Sequence, residues 1–228
     1  MRGPDLRLVI FDFDGTLVDS QHHIVANMAA AFADAGHPCP PREAVLAIVG
    51  LSLPEAIATL VPHLPEAETR RLVNHYRERA AADYRSGRDG APLFPGALEA
   101  LHRLAAEPRT LLGIATGKAR RGLDAALAAH ALSGLFVTTQ TADDHPSKPH
   151  PAMLEQALAE AGCGPGDAVM IGDTTFDIAM GRAAGMATIG VAWGYHPADA
   201  LAESGADLLI DGFAALPPAL DRLWPTPA

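Results

Sequence analysis

The stretch Leu6-Arg7-Leu8-Val9-Ile10-Phe11-Asp12-Phe13-Asp14-Gly15-Thr16 decides the fold. Its apolar run is short and nearly continuous, the form of a strand covered on both faces. The run stops abruptly at two aspartates. Successive strand residues point to opposite sides, so Asp12 and Asp14 share one side, with Phe11 and Phe13 on the other. Two carboxylates this close repel each other, and one pKa is expected to rise. A chance D-x-D-G-T directly after a strand is rare, so the pair is read as chemistry and not as a polar loop.

Working outward, the pattern of that first strand recurs. Thr110–Ala115, Leu135–Thr138, Ala168–Ile171, Ala187–Ala192 and Leu208–Ile210 are further short apolar runs. The spacing predicts helices between them at Pro95–Ala106, Lys118–His130, Pro149–Ala161, Thr175–Ala184 and Ala198–Glu203. Pro95, Pro149 and Pro197 stand where a first-turn proline is tolerated. Alternating strands and helices imply a parallel sheet with right-handed crossovers, a doubly wound α/β core. One block breaks the alternation. Residues 18–89 hold no strand pattern, only helical ones at Ser20–Ala35, Arg42–Val49, Leu53–Leu60 and Glu66–Ser86. The expected organisation is therefore a core domain made of residues 1–17 and 90–228, with an all-helical domain of residues 18–89 inserted into it. The Pro-rich tail after Leu216 reads as a surface terminus.

Composition narrows the function classes. The chain has 228 residues, 17 Lys+Arg against 27 Asp+Glu, and a formal charge of −10. This acidic balance argues against binding a nucleic-acid backbone, and aromatics at 5% argue against a base-stacking platform. No apolar run is long enough for a membrane span, and the start of the chain has no signal-peptide form. Cys39 and Cys163 lie in expected loops, so a cytoplasmic protein with free thiols is the expectation. The only lysines are Lys118 and Lys148, which makes each informative.

A second carboxylate pair follows another strand, in Gly172-Asp173-Thr174-Thr175-Phe176-Asp177. A starting helix brings positions i and i+4 together, so Asp173 and Asp177 meet there, although N-capping by Asp173 or Thr174 explains the same residues. With Asp12 and Asp14 they end parallel strands on one sheet edge, where ligands bind in such folds. Such a cluster needs a cation, and oxygen ligands completed by a substrate phosphate suit Mg²⁺. Thr116 and Gly117 put a hydroxyl and free N–H groups at a helix start, an anion site or simply a cap. Lys148, before Pro149, leaves the chain in a fixed direction.

These four segments, in this order, resemble the haloacid dehalogenase superfamily of phosphohydrolases, in the subgroup with a helical cap after the first motif and a Rossmann-like core. Phe94-Pro95-Gly96, where the chain returns from the insert, matches too. The look is that of phosphoglycolate-phosphatase-like members. The resemblance implies that Asp12 is a nucleophile forming an aspartyl-phosphate and Asp14 the acid and base. It implies Mg²⁺ on Asp12, the Asp14 backbone carbonyl, Asp173 and Asp177, and phosphate held by Thr116, Gly117 and Lys148. The substrate would be a small phosphorylated metabolite such as 2-phosphoglycolate; pyrophosphatase, nucleotidase or sugar-phosphate specificity and a non-catalytic regulator stay open, as does the oligomeric state.

Within the superfamily, Asp14 speaks against the dehalogenases, and the absence of lysine from Met1 to Gly117 excludes a cap Schiff base. Ile24 and Leu53 stand where the sugar-phosphate mutases resembling this chain carry a histidine and an arginine. His22 and His23 beside Ile24 are expected to be solvated. Gly50, Leu51 and Ser52, between two cap helices, are the specificity candidates, with Lys118. The arginines Arg70, Arg71, Arg77, Arg79, Arg85 and Arg88 read as a solvated helix face.

Overall fold

A computed structural model describes residues 6–86 and 90–224. Six parallel strands form one sheet in the order β3-β2-β1-β4-β5-β6, where β1 is Arg7–Phe11, β2 Thr110–Thr116, β3 Thr138–Thr141, β4 Ala168–Gly172, β5 Ala187–Val191 and β6 Leu208–Ile210. The central strand β1 pairs with β2 through Phe11 and Ile114 and with β4 through Phe11 and Ile171. The chain winds outward in opposite directions from β1, so its carboxyl end opens the crevice where such folds bind ligands. Alternate strand residues feed two cores. Val9, Phe11, Leu112, Ile114, Val169 and Ile171 pack on one face, and Leu8, Ile10, Ala168 and Met170 on the other.

Two expectations about the sheet side need correction. The strand predicted over Leu135–Thr138 is displaced to Thr138–Thr141. β3 is the sheet edge, and its pairing residues are Thr and Gln, which suit a strand without being apolar. Leu135 and Phe136 instead pack against the first core from the loop before it. The tail after Leu216 is not merely a surface terminus. It begins as a helix, Leu216–Leu223, with Pro217 and Pro218 in the first turn, where a missing N–H costs nothing. Leu216, Ala219 and Leu220 are buried in the first core.

Between β1 and β2 the chain is helical: α1 Gln21–Ala35, α2 Arg42–Leu46, α3 Leu53–Leu60 and α4 Glu66–Ser86, then α5 Ala97–Ala105. α5 returns to the sheet, whereas α1 to α4 share a core of their own built on Met28, Phe32, Val45, Ile57, Leu72 and Val73. The two linkers lie side by side. Val18 bridges Leu93, Asp19 N–H donates to Pro92 and Phe94 N–H to Leu17. The expected end of the insert, at residue 89, lies outside the described residues. α6 Arg120–Ala129, α7 Ala152–Ala161, α8 Thr175–Ala183 and α9 Ala198–Glu203 complete the crossovers, with Leu216–Leu223 as α10. Pro149 precedes α7 by a turn rather than opening it, because Pro151 is its N-cap. Pro95 also lies ahead of its helix, and Pro197 is the N-cap of α9. Among the described residues no helix is long and apolar enough to cross a membrane.

Candidate active site

Asp12 follows β1 directly and is pinned by a hydrogen bond from its N–H to Ile171 at 2.9 Å. Register therefore sets it beside the end of β4, one residue before Asp173. Asp12 Oδ1 accepts from Phe13 N–H at 2.7 Å and lies 2.9 Å from Lys148 Nζ. The same Nζ donates to Asp177 Oδ1 at 2.6 Å. All three side chains are shut off from solvent. The Lys148–Pro149 peptide bond is cis.

The second strand end supplies the rest of the cluster. Thr174 caps α8, and its N–H and hydroxyl both donate to Asp177 Oδ2, at 3.0 and 2.7 Å. The capping reading of this motif is realised, and the capping box holds one Asp177 oxygen so that the other faces Lys148. Asp173 accepts from Thr16 Oγ1 at 2.8 Å and from Tyr195 N–H at 2.9 Å. Carboxylate oxygens of Asp12, Asp173 and Asp177 lie within 4.8 Å of one another.

Three buried carboxylates face one ammonium. Burial pushes Asp12 up to about 7, Lys148 opposes this, and Asp177 adds to it. Burial, with Asp12 and Asp177 nearby, likewise holds Asp173 well above the usual carboxylate range. Burial alone would lower Lys148, but the two carboxylates beside it keep it above the usual lysine value. The expected repulsion between Asp12 and Asp14 is not what raises Asp12; desolvation dominates, and the charged neighbour is Asp177. Asp12 Oδ2 is buried with no hydrogen-bond partner among the described residues. An orphaned carboxylate oxygen in an over-negative, oxygen-only cluster fits a hard divalent cation.

Asp14 is placed differently. Its carboxylate is outside that triad, and both its oxygens lie 3.2 Å from Lys118 Nζ. The two lysines of the chain thus serve the two aspartates of the first motif, one each. Lys118 also lies 6.0 Å over the ring of Tyr84, in α4. Thr116, the last residue of β2, is buried, and its Oγ1 accepts from Lys118 N–H at 3.3 Å.

The loop Gly50-Leu51-Ser52 sits directly on this edge. A Cβ on Gly117 would come within 2.5 Å of the Gly50 and Leu51 carbonyl oxygens, and one on Gly50 within 3.1 Å of Thr174 Oγ1. Ser52 N–H donates to Ser147 Oγ at 2.8 Å, one residue from Lys148. A cavity bounded by Asp12, Asp14, Thr116, Gly117 and Lys118 on one side reaches Gly50, Leu51 and Ser52 on the other. Ile24 and Leu53 line it too, and His22 and His23 do not.

The arginines of α4 divide. Arg70 pairs with Glu66, Arg71 with Glu68 and Arg79 with Asp34, all on the surface, as a solvated face predicts. Arg77 and Arg85 instead reach the cavity wall, and Arg88 lies outside the described residues. Sequence reading missed the loop after β5. Tyr195 and His196 come from it: Tyr195 anchors Asp173, and its hydroxyl lies 3.1 Å from Ser20 Oγ. His196 Nδ1 accepts from Thr175 N–H at 3.1 Å, while Nε2 lies 3.1 Å from the Ala47 carbonyl in the helical insert. The available signal was position alone: Trp193-Gly194-Tyr195-His196 follows a strand that ends on the same sheet edge.

The comparisons with known proteins agree with this geometry. A family model described as haloacid dehalogenase-like hydrolase matches residues 9–191. A protein of Dickeya dadantii named probable phosphatase IndB is 37% identical over 211 residues, covering 91% of this chain and 90% of its own. A phosphoglycolate phosphatase of Haemophilus influenzae is 31% identical, covering 92% and 96%. Among solved structures, a haloacid dehalogenase-like family hydrolase from Streptococcus pneumoniae superposes with a TM-score of 0.82 at 24% identity, over 96% of this chain and 100% of that one. At that identity the likeness carries the fold alone.

Proposed function

The chain belongs to the haloacid dehalogenase-like hydrolases, and from that premise we propose that it is a Mg²⁺-dependent phosphatase acting on a small phosphomonoester through an aspartyl-phosphate. The observation that carries this reading is the unpartnered Oδ2 of Asp12, buried beside Lys148, in a residue that lines the cavity. Asp12 attacks phosphorus and the ester oxygen leaves. Asp14 gives that oxygen its proton, then takes one from the water that opens the acyl phosphate, returning Asp12 and releasing inorganic phosphate. Thr116, the Gly117 backbone and Lys148 hold the phosphoryl oxygens.

Asp12 and Asp173, with the Asp14 backbone carbonyl, would hold Mg²⁺, which when bound offsets charge on the phosphoryl group. Asp177 supports the site from behind, because both its oxygens already serve Lys148 and Thr174. The segment over residues 18–89 acts as a cap domain that closes on the core at Gly50–Ser52 and excludes water while the intermediate forms. The names of the two relatives, a phosphatase and a phosphoglycolate phosphatase, support a phosphomonoester as substrate. The test is phosphate release from a panel of phosphomonoesters. Turnover is expected with Mg²⁺, none in excess EDTA, and a loss of several orders of magnitude in Asp12→Asn, since an amide cannot form the acyl phosphate. Undiminished turnover by Asp12→Asn, or by protein verified free of metal, would refute the reading.

A further inference from the structure

The cavity that begins at Asp12 and Asp14 runs on beneath the insert to a volume of about 630 Å³. It is open although the insert is seated: Ser52 bonds to Ser147, and His196 reaches Ala47. The space is therefore not the product of an insert swung away from the core. Its far wall is built from Ile24, Met28, Leu51, Leu53, Tyr76 and Tyr84. All but Met28 keep part of their surface exposed. Ile24, Leu51, Leu53 and Tyr76 are nevertheless fixed from behind by the core of the insert. Apolar side chains held rigid at a cavity wall are surface that a bound ligand removes from water.

The charges are distributed differently. Lys148 is engaged by Asp12 and Asp177, and Lys118 by Asp14. The other charged residues of the wall, Arg77, Glu78, Arg85, Arg121 and Asp143, are of both signs and exposed to solvent. Among the described residues, no buried cation remains to receive a second acidic group on the substrate. A two-carbon phospho-acid would leave the apolar wall wet, and the cations of the cavity are an ammonium already paired with Asp14 and three guanidinium groups that solvent already hydrates.

We infer that the substrate is a phosphate monoester whose alcohol half carries an apolar chain or ring that fills this cavity, in preference to phosphoglycolate or another short polyanion. The inference rests on the phosphatase reading for the phosphate end of the site. It is tested apart from turnover with non-hydrolysable n-alkylphosphonates of rising chain length, bound to the full chain with Mg²⁺ and measured by calorimetry. Affinity is expected to rise about fourfold per methylene until the cavity is full, from the usual gain on burying a methylene group. Phosphonoacetate, which carries a carboxylate instead, should be among the weakest. Leu53→Asn and Tyr76→Ser should each flatten the dependence on chain length. A flat series, including one with no binding at any length, or tightest binding by phosphonoacetate, would overturn the inference. Failure of the phosphatase reading looks different: the phosphonates would follow the expected series while the matching alkyl phosphates released no phosphate.

Discussion

The two ends of the cavity are built on opposite principles. At the sheet edge, Asp12, Asp173, Asp177 and Lys148 are buried polar groups, held by two strand ends and a capping box. At the insert, the wall is apolar and half-buried, and its charged residues, Arg77, Glu78 and Arg85, are exposed to solvent. The difference teaches that reaction and selectivity are supported separately here. The polar end cannot change without leaving a buried charge unpaired, whereas the apolar end can vary at the cost of packing alone.

The largest effect that could break this division comes from Lys148. Lys148→Met leaves Asp12 and Asp177 buried without their shared cation, so it should abolish activity and cost about 3–5 kcal/mol of stability. Thermal unfolding should show a fall of roughly 10 °C for a chain of this size. Lys118→Met removes a pair at the edge of the cavity, where both side chains keep some exposure, and should lower the melting temperature by much less. Equal losses would mean that the two lysine–aspartate pairs are not differently embedded.

A smaller effect is expected where the two ends touch. Gly117→Ala sets a methyl group against the Gly50 and Leu51 carbonyls, which must move for the insert to seat. Displacement on the scale of an ångström should lower kcat/KM by about a hundredfold, with little change in melting temperature or Mg²⁺ affinity. If Mg²⁺ affinity fell and the substrate ranking were unchanged, the loop would belong to the polar end instead.

The smallest effect concerns His196, which joins core to insert. Burial lowers its pKa below the ordinary 6.5. The unfolded chain therefore takes up the proton more readily, so this histidine's contribution is intact above pH 6.5. It is lost as pH falls from there through the folded-state value. Replacement by Gln should flatten the fall of the melting temperature below pH 6.5, measured as the difference between wild type and variant.

The same division explains what the sequence disclosed. The polar end was legible because each part is a contiguous motif after an apolar run: Asp12 to Thr16, Thr116-Gly117, Lys148-Pro149, and Gly172 to Asp177. The Asp12–Asp14 motif is rare enough to read singly, whereas Asp173 and Asp177, which N-capping also explains, read as a site only in its company. The apolar wall was not legible as a site. Ile24, Leu53, Tyr76 and Tyr84 come from three helices, and their spacing looks like that of any helix packing on its neighbours. Lys118 was noticed because lysine is scarce, but its partner Asp14 lies 104 positions away, and only the β1–β2 pairing brings them together. Tyr195 acts on Asp173 through its backbone N–H, which no side-chain pattern reveals. β3 was misplaced because an edge strand needs no apolar run, and α10 because paired prolines resemble a tail until Leu216, Ala219 and Leu220 are seen to share a face.

The central claim is that Asp12 carries the phosphoryl group while Asp14 moves the protons. The most direct test is acid-quenched single turnover with Mg²⁺ in wild type and Asp14→Asn, followed by mapping of the trapped phosphoryl group. The account predicts phosphate on the peptide containing Asp12, accumulating in Asp14→Asn because the water that opens the acyl phosphate is no longer deprotonated. Phosphorylation of Asp14→Asn should be slowed more for an alkyl phosphate than for p-nitrophenyl phosphate, whose leaving group needs little protonation. Release of phosphate with no label on Asp12 in either protein, or label on another residue, would contradict it.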